Sequence, residues 1–379
     1  MNRNFSARLG ASLSLLALSA SSAAAQGFNI EVGVSAASVP AAVYGAAASQ
    51  PGTWNHFVPA VPSAVVPLNS LAGTASGVTM QVTPGPNGYN GLISYNWNNP
   101  NTTAGDERLL DDILDVGGTF ASPAVNSGVT VTVSGLAAGF YEVYTYCFAP
   151  DNYLPGNGGL PWNTLVDVTG SIDPQQPVGA LDWAGTFIQN ETFAKHRVAV
   201  AAGQNLVIQL SHEFLTFSFA SFNGLQIKPA APPPANYCTA GTTTNACVPA
   251  LTATDNPSLS AATSCILNAA NIEGQKQGLI FYGIDNSGFS PLPWSPGSSS
   301  FLCVKSPTQR SGAQASGGTT AQCNGAFSLD WHTFQAANTG LIGQPWSLGA
   351  KVYAQAWFRD PPAPKTTNLS DAVEMTYVP

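Results

Sequence analysis

The sequence predicts an all-β protein made of two sandwich-like domains, and three features of its 379 residues indicate this fold class. Glycine (37) and proline (29) are too abundant for a helical protein, and they lack the three-residue period of collagen. Short runs of apolar and polar alternation recur along the chain, and turn residues separate them. A proline-rich stretch then divides the chain into two parts.

In the first part, alternating runs predict a series of paired strands. Val129–Val133 alternates strictly, and Gly139–Cys147 follows it after a turn bounded by glycines. The spacing of the runs is typical of an antiparallel sandwich or jelly roll. Glu107–Asp115 has helical spacing between Gly105 and Gly117 and predicts one short helix. The further strand-like runs are Thr164–Val168, His196–Val200, Leu206–Leu210 and Asn223–Ile227.

Residues 229–236 predict a stiff linker, because their prolines lack the N–H donors that a sheet needs. The linker separates a jelly-roll-like β-sandwich domain, 27–228, from a second β-rich domain, 237–379. Each is long enough to bury its own core. Strand-like runs of the second domain are Gly278–Gly283, Ser300–Val304 and Val352–Phe358.

Residues 1–26 have the pattern of a secretory signal peptide. Arg3 and Arg8 precede the apolar run Leu9–Leu18, and small residues follow as far as Gln26. The apolar run is about half of the ~20 residues that span a bilayer, so no membrane insertion is expected. We therefore expect a secreted protein located outside the cell or at its surface.

Charge is scarce, and its balance excludes one class of partner. Twelve Lys and Arg stand against 20 Asp and Glu, and the basic residues are scattered singly. Such a chain cannot neutralise a row of phosphates, so a nucleic-acid partner is not expected. No glycine-rich loop opens a helix after a strand, so no nucleotide cofactor is expected either.

Six cysteines in an exported protein are expected to form disulfide bonds. Cys238 with Cys247, and Cys303 with Cys323, can each close a local loop, and each closure would contribute roughly 3 kcal/mol in the simplest model. Cys147 and Cys265 remain. They can pair across the domains, stay as buried thiols or form an intermolecular bond.

The second domain resembles a recurrent C-terminal domain of secreted planctomycete-type bacterial proteins. This resemblance implies an extracellular β-rich module with two local disulfides, and it implies no activity. The matching segments cover most of the domain: Tyr237–Ala240, Glu273–Gly274, Gly278–Gly283, Leu302–Val304, Trp357–Pro361 and Asn368–Ala372.

The first domain resembles the jelly-roll modules found beside carbohydrate-active enzymes. The resemblance implies a sandwich fold and sugar binding. It assigns no binding residue, because those modules bind sugars through different faces. The matching segments are Gly52–Asn55, Leu109–Asp112, Val143–Tyr146, Ala149–Asp151 and Asn223–Ile227.

An acidic cluster between positions 106 and 115 allows two interpretations. Asp111 and Asp112 suggest a Ca²⁺ site, because this hard cation prefers carboxylate and carbonyl oxygens. The spacing does not match an EF-hand loop. We favour the alternative of a solvated helix face, in which Asp106 and Glu107 lie at the positive N-terminal end.

Aromatic residues surrounded by Asn, Gly and Pro are the best candidates for ligand contacts. A loop indole can lie against a sugar ring while nearby carboxylates and amides bind its hydroxyls. The alternative is that these rings cap the sandwich core. The candidates are Trp54, Trp97, Tyr153 and Trp162, with Asp151 beside them. The remaining tryptophans are predicted to pack in cores or turns: Trp183, Trp294, Trp331, Trp346 and Trp357.

Together these observations predict a secreted, non-catalytic protein that binds carbohydrate or a cell-surface polymer. One alternative is a self-associating protein of the envelope or matrix, since low charge opposes association only weakly. The other is a glycoside hydrolase-like enzyme that uses paired carboxylates, for which Asp151, Asp167 and Asp182 are candidates.

Overall fold

The structure, a computed structural model, describes residues 26–89, 91, 94–96, 98–117, 127–149, 163–212 and 220–379. The predicted signal peptide lies outside the described residues except for its last position, Gln26. The chain divides into two compact units, Met1–Pro229 and Ala230–Pro379. Within the described ranges, no helix is long and apolar enough to cross a membrane.

The predicted all-β class is confirmed, and the first unit is a β-sandwich. One sheet has the strand order β11-β8-β14-β1-β2, the second has the order β10-β9-β12-β7-β4-β3, and a small sheet has the order β13-β6-β5. Their bounds are β1 Phe28–Val32, β2 Trp54–Phe57, β3 Val66–Asn69, β4 Ala75–Pro84, β5 Tyr95–Asn96, β6 Asp112–Gly117, β7 Gly128–Ser134, β8 Gly139–Tyr146, β9 Thr164–Val168, β10 Gln176–Val178, β11 Phe193–Val200, β12 Leu206–His212, β13 Ala220–Phe222 and β14 Gly224–Ala230.

The core of this sandwich follows directly from the alternation seen in the sequence. Val129, Val131 and Val133 of β7 are fully buried, whereas the threonines between them are half-exposed. On the facing sheet, Phe28 and Ile30 of β1 are equally buried. Because successive side chains of a strand point to opposite faces, period-two sequences place one set in the core.

The helix predicted over Glu107–Asp115 is wrong in its second half. Helix α1 covers Ala104–Leu110, and strand β6 then begins at Asp112. All six residues of β6 are buried, and the strand pairs with β5 and β13. Pairing with β5 and β13 therefore stabilises Ile113–Val116 as a strand more than the local helical spacing stabilises a helix.

The second unit is also built from packed sheets. The larger sheet has the order β15-β25-β24-β18-β21, with β22 also pairing β18, and the smaller sheets are β16-β17-β23 and β19-β20. Helix α2 covers Trp331–Ala337. The strands are β15 Ala235–Tyr237, β16 Ala250–Ala253, β17 Ile266–Ile272, β18 Gln277–Gly283, β19 Leu292–Pro293, β20 Phe301–Leu302, β21 Gln309–Arg310, β22 Gln314–Ala315, β23 Gly325–Asp330, β24 Lys351–Arg359 and β25 Thr367–Thr376.

Side chains of the larger sheet alternate between two environments. Ile280 and Tyr282 of β18 join the main core, where Trp331 is fully buried. Leu279 and Phe281, one position away on the same strand, belong to a separate apolar cluster. The larger sheet therefore has apolar side chains on both faces.

Strand structure extends into both ends of the predicted linker, 229–236. Strand β14 runs to Ala230, and strand β15 begins at Ala235 and pairs with β25. Between them, the carbonyl of Pro232 accepts a hydrogen bond of 2.7 Å from Asn256 Nδ2. Pro232, Pro233 and Pro234 lie between the two strands, where no ladder N–H is required, and Pro229 is the next-to-last residue of β14.

The four cysteines of the second unit form two disulfides, but the predicted local pairing is wrong. Cys238 pairs with Cys303, and Cys247 pairs with Cys323. Strand pairing accounts for the first bond: β15 is the edge strand of the larger sheet, and the Tyr237 hydroxyl, next to Cys238, donates a hydrogen bond of 3.0 Å to the Cys303 carbonyl. The sheet thus brings together segments that are distant in sequence. The spacing of cysteines along the sequence gives only the length of the loop that each possible pair would close.

The remaining two cysteines, Cys147 and Cys265, are buried free thiols. Cys147 lies in the core of the first unit, and Cys265 lies in the core of the second. Burial raises the pKa of the Cys265 thiol to about 12, so it stays protonated at neutral pH. Of the three alternatives left open by the sequence, the structure selects the buried thiols.

Candidate functional site

The outer face of the five-stranded sheet in the first unit is covered by the chain itself. An apolar cluster packs on it and includes Trp54, Tyr144, Tyr146, Phe148 and Phe193. Leu109 and Leu110 of helix α1 complete the cover from one side. A flat polymer therefore cannot lie directly on this part of the sheet.

Below that cover, buried amides hold the segment around residues 45–50 against the sheet. Gln50 Nε2 donates to Asn29 Oδ1 (2.9 Å), and Gln226 Nε2 donates to the same oxygen (2.8 Å). Tyr146 donates its hydroxyl proton to Gln226 Oε1 and accepts a hydrogen bond from the Ala47 N–H. Buried amides satisfied in this way specify one loop position, so this network is structural.

An open cleft of about 400 Å³ lies where α1 meets strands β5 and β6. We call it the polar cleft, and its lining residues are Ala37, Ser38, Asn96, Asn98, Glu107, Arg108, Asp111 and Asp112. This set combines carboxylates, amides, a hydroxyl and a guanidinium. The volume lies within the ~300–1,000 Å³ typical of small-molecule sites.

The two aspartates at the base of the polar cleft are buried and held by donors. Asp111 Oδ1 accepts from the Thr102 hydroxyl (2.8 Å), and Asp111 Oδ2 accepts from the Asn99 N–H (3.2 Å). Asp112 accepts from the Ser38 hydroxyl (2.6 Å) and from the Asn96 amide. Burial raises the pKa of Asp111 to about 7, and the two hydrogen bonds to it oppose that rise.

A third carboxyl group, that of Glu31 in β1, lies beside Asp112. The Glu31 side chain is fully buried; its Oε2 lies 2.8 Å from His56 Nδ1, and its Oε1 has no hydrogen-bond partner. Burial, and secondarily the charge of Asp112, raise the pKa of Glu31 to about 8. Burial also lowers the pKa of His56, so both members of this pair are neutral at pH 7.

The acidic cluster is therefore split between two environments rather than forming one solvated face. Asp106 and Glu107 lie in the first turn of α1, as the favoured interpretation requires, and Asp106 accepts from the Tyr44 hydroxyl (2.6 Å). Asp111, Asp112 and Asp115 are buried, which contradicts it for those three. Among the described residues, no group of three His, Cys, Asp or Glu is arranged to hold a metal ion.

Of the predicted aromatic contacts, the structure describes Trp54 alone, and the expectation that it lies on an exposed loop is wrong. Trp54 begins strand β2, is 5% exposed and donates through Nε1 to the Tyr44 carbonyl (3.1 Å). Its indole packs in the apolar cluster that covers the five-stranded sheet, which explains the burial. The other candidates, Trp97, Asp151, Tyr153 and Trp162, lie outside the described residues.

Sequence reasoning missed several residues of this region. Ser38, Asn96 and Asn98 are ordinary polar residues, and nothing in their local sequence predicts that they meet Asp111 and Asp112. Glu31 did carry a signal, because it is a lone charge within the apolar strand Phe28–Val32. A charge at a buried strand position is uncommon and marks a special environment.

No protein-family model and no curated protein matches this sequence. Among solved structures, a beta-1,2-glucanase from Parabacteroides distasonis is 10% identical with a TM-score of 0.17, and the match covers 79% of this chain and 37% of that chain. The N-terminal CBM22-1-CBM22-2 tandem domain from Paenibacillus barcinonensis Xyn10C is 11% identical with a TM-score of 0.19, covering 80% and 84%. The chain thus spans little more than a third of the glucanase, and TM-scores this low carry no argument about function.

Proposed function

We propose that this chain is a secreted, non-catalytic protein that binds carbohydrate in the polar cleft of its first domain. The observation that carries the proposal is the mixture of hydrogen-bonding groups around the cleft. Each sugar hydroxyl both donates and accepts a hydrogen bond. Glu107 offers acceptors, Arg108 offers donors, and the amides of Asn96 and Asn98 offer both.

The flanking sequence and the disulfides support the same proposal. Trp97 stands between Asn96 and Asn98 in the sequence, where an indole could supply the apolar surface that a sugar ring needs. The two disulfides favour an oxidising location outside the cytoplasm. Cell-surface or extracellular polysaccharide is thus the proposed class of partner.

The experiment is a binding screen of the purified protein against glycans and insoluble polysaccharides, with Ca²⁺ and with chelator. Asn98→Ala and Glu107→Gln change exposed residues of the cleft, so they should weaken binding while the protein stays folded, with at most a small fall in melting temperature for Glu107→Gln, which loses a favourable charge in the first turn of α1. Trp97→Ala should weaken it too. Glu191→Gln, an exposed carboxylate that does not line the cleft, is the matched control. The proposal fails if no saturable ligand is found, or if all three cleft variants bind as the wild type does.

One observation favours a second candidate, a glycoside hydrolase-like activity. Burial raises the pKa of Asp111 to about 7, so this carboxyl is about half protonated at neutral pH beside the neighbouring Asp112, and a raised carboxyl pKa is typical of a general acid. Reducing-sugar release on the same panel tests this activity, and Asp111→Asn should abolish it.

Light scattering on the same samples tests the remaining alternative from the sequence, a self-associating protein of the envelope or matrix.

A further inference from the structure

An apolar pocket of about 280 Å³ lies on the second domain, on the side of the larger sheet that faces away from the main core. Phe281 and Val304 are buried beneath it, and the half-buried Trp294 and Trp357 also line it. Both tryptophans were predicted to be packing residues. That prediction is confirmed, because both indoles pack against the apolar cluster, and their partial exposure also leaves part of each indole accessible beside the apolar base.

The cations of this domain are distributed unevenly around its surface. Six Lys and Arg lie between residues 230 and 379. Three of them pair with carboxylates: Lys276 with Glu273, Lys305 with Asp285 and Lys351 with Glu374.

Of the three cations that make no ion pair within residues 230–379, one lines the apolar pocket and the other two lie against tryptophans that line it. Arg310 lines it directly and is exposed. Lys365 Nζ lies 4.2 Å from the centroid of the Trp294 ring, and the Arg359 guanidinium lies 5.8 Å from the Trp357 ring. In a chain with a net charge of −8, this pocket thus has a positively charged edge.

We propose that this pocket binds a compact aromatic anion, such as an aryl carboxylate or sulfonate. The flat ring would contact Phe281 and the two indoles, and the anionic group would accept hydrogen bonds from the Arg310 guanidinium. Charge complementarity selects an anion over a neutral ring, because Arg310 lines the pocket and makes no ion pair within residues 230–379, whereas the Lys365 ammonium already donates to the Trp294 carbonyl. This site is separate from the polar cleft, so either proposal can fail alone.

The test compares two fluorescent probes that share one aromatic body. 8-Anilinonaphthalene-1-sulfonate carries a sulfonate, and N-phenyl-1-naphthylamine has no charge. Titrated into the full-length protein, the anionic probe should bind saturably and about tenfold more tightly than the neutral one, the scale of one charge-assisted hydrogen bond.

Two exposed positions of the pocket make the test specific. Arg310→Gln removes the cation, and Thr308→Glu adds a repelling carboxylate; each should weaken the anionic probe about tenfold and leave the neutral probe unchanged. Lys351→Gln removes an ion-paired cation that does not line the pocket and should change neither probe. Equal affinity for both probes, no saturable binding, or unchanged affinity in both pocket variants would overturn the proposal.

Discussion

Glu31 and His56 are register partners on the parallel strands β1 and β2, and their side chains meet with Glu31 Oε2 2.8 Å from His56 Nδ1. The other Glu31 oxygen, Oε1, is buried without a hydrogen-bond partner. It lies on the side of Gly33 where Asp112 Oδ2 also lies. The pair therefore joins the sheet to the base of the polar cleft.

This arrangement predicts that stability falls as the pH rises. The folded-state pKa of Glu31 is about 8 against 4.5 in the unfolded chain, so the folded state binds more protons between these values. The stabilisation is complete below pH 4.5 and is lost as the pH rises through 8, at up to about 1.4 kcal/mol per pH unit. The raised pKa of Asp111 contributes a slope of the same sign, so Glu31→Gln should reduce the slope, most clearly between pH 7 and 8, in urea unfolding at pH 5, 6, 7 and 8.

Glu191→Gln is the control and should keep the wild-type slope. If the pH dependence of stability were unchanged in Glu31→Gln, the Glu31 carboxyl could not be protonated in the folded protein as its raised pKa requires. Millimolar Ca²⁺ provides a second check on the same site. If Ca²⁺ raises the melting temperature of the wild type but not of Glu31→Gln, a cation rather than a proton separates Glu31 from Asp112.

Gly33 should not tolerate a methyl group. A Cβ on Gly33 would lie 2.1 Å from Glu31 Oε1 and 2.8 Å from Asp112 Oδ2. Both carboxyl groups are buried, so Gly33→Ala should destabilise the protein by about 1–3 kcal/mol. Gly312→Ala, where a Cβ meets nothing within 4 Å, is the matched control. Chemical denaturation measures the free energy of unfolding of both variants. Equal values would refute the predicted clash between a Cβ at position 33 and the two carboxyl groups.

Trp54 should act through stability and not through ligand contact. It is buried beneath the covering segment, so Trp54→Ala should cost about 3–5 kcal/mol, as large truncations in a core do. Trp54→Phe should cost less, because it mainly loses the hydrogen bond to the Tyr44 carbonyl. At a temperature where the Phe variant is folded, its affinity for any glycan found in the screen should equal that of the wild type. A selective loss of affinity would count against a purely structural role.

The crossed disulfides make a prediction for peptide mapping. Under non-reducing conditions, mass spectrometry should recover a peptide joining Cys238 to Cys303 and another joining Cys247 to Cys323. Recovery of a Cys238–Cys247 peptide would contradict the structure.

The two disulfides also predict a loss of stability when either is removed. They close loops with sequence separations of 65 and 76 residues, so losing either should cost about 4 kcal/mol in the chain-entropy model. The double variant Cys238→Ala with Cys303→Ala measures that loss.

The sequence by itself determined the β class and the strands of the core. Val129–Val133 alternates, and β7 buries the alternate valines as that period requires, because the information lies within the strand itself. The boundary between the two units near Pro229 could also be predicted from the sequence, because proline lacks the N–H donor that a continuing strand needs.

The tertiary structure alone decided which distant residues meet. Glu31 and Asp112 are 81 positions apart, and Ser38 reaches Asp112 across 74 positions. Local spacing likewise predicted a helix where β6 pairs in a sheet, and an exposed loop where Trp54 is buried. It also predicted two disulfides within short loops, whereas the folded chain joins Cys238 to Cys303 and Cys247 to Cys323. Local sequence encodes backbone preference and side-chain period, whereas sheet partners and burial depend on contacts between segments far apart in the chain. The polar cleft is made of such contacts, so it became visible only in the folded chain.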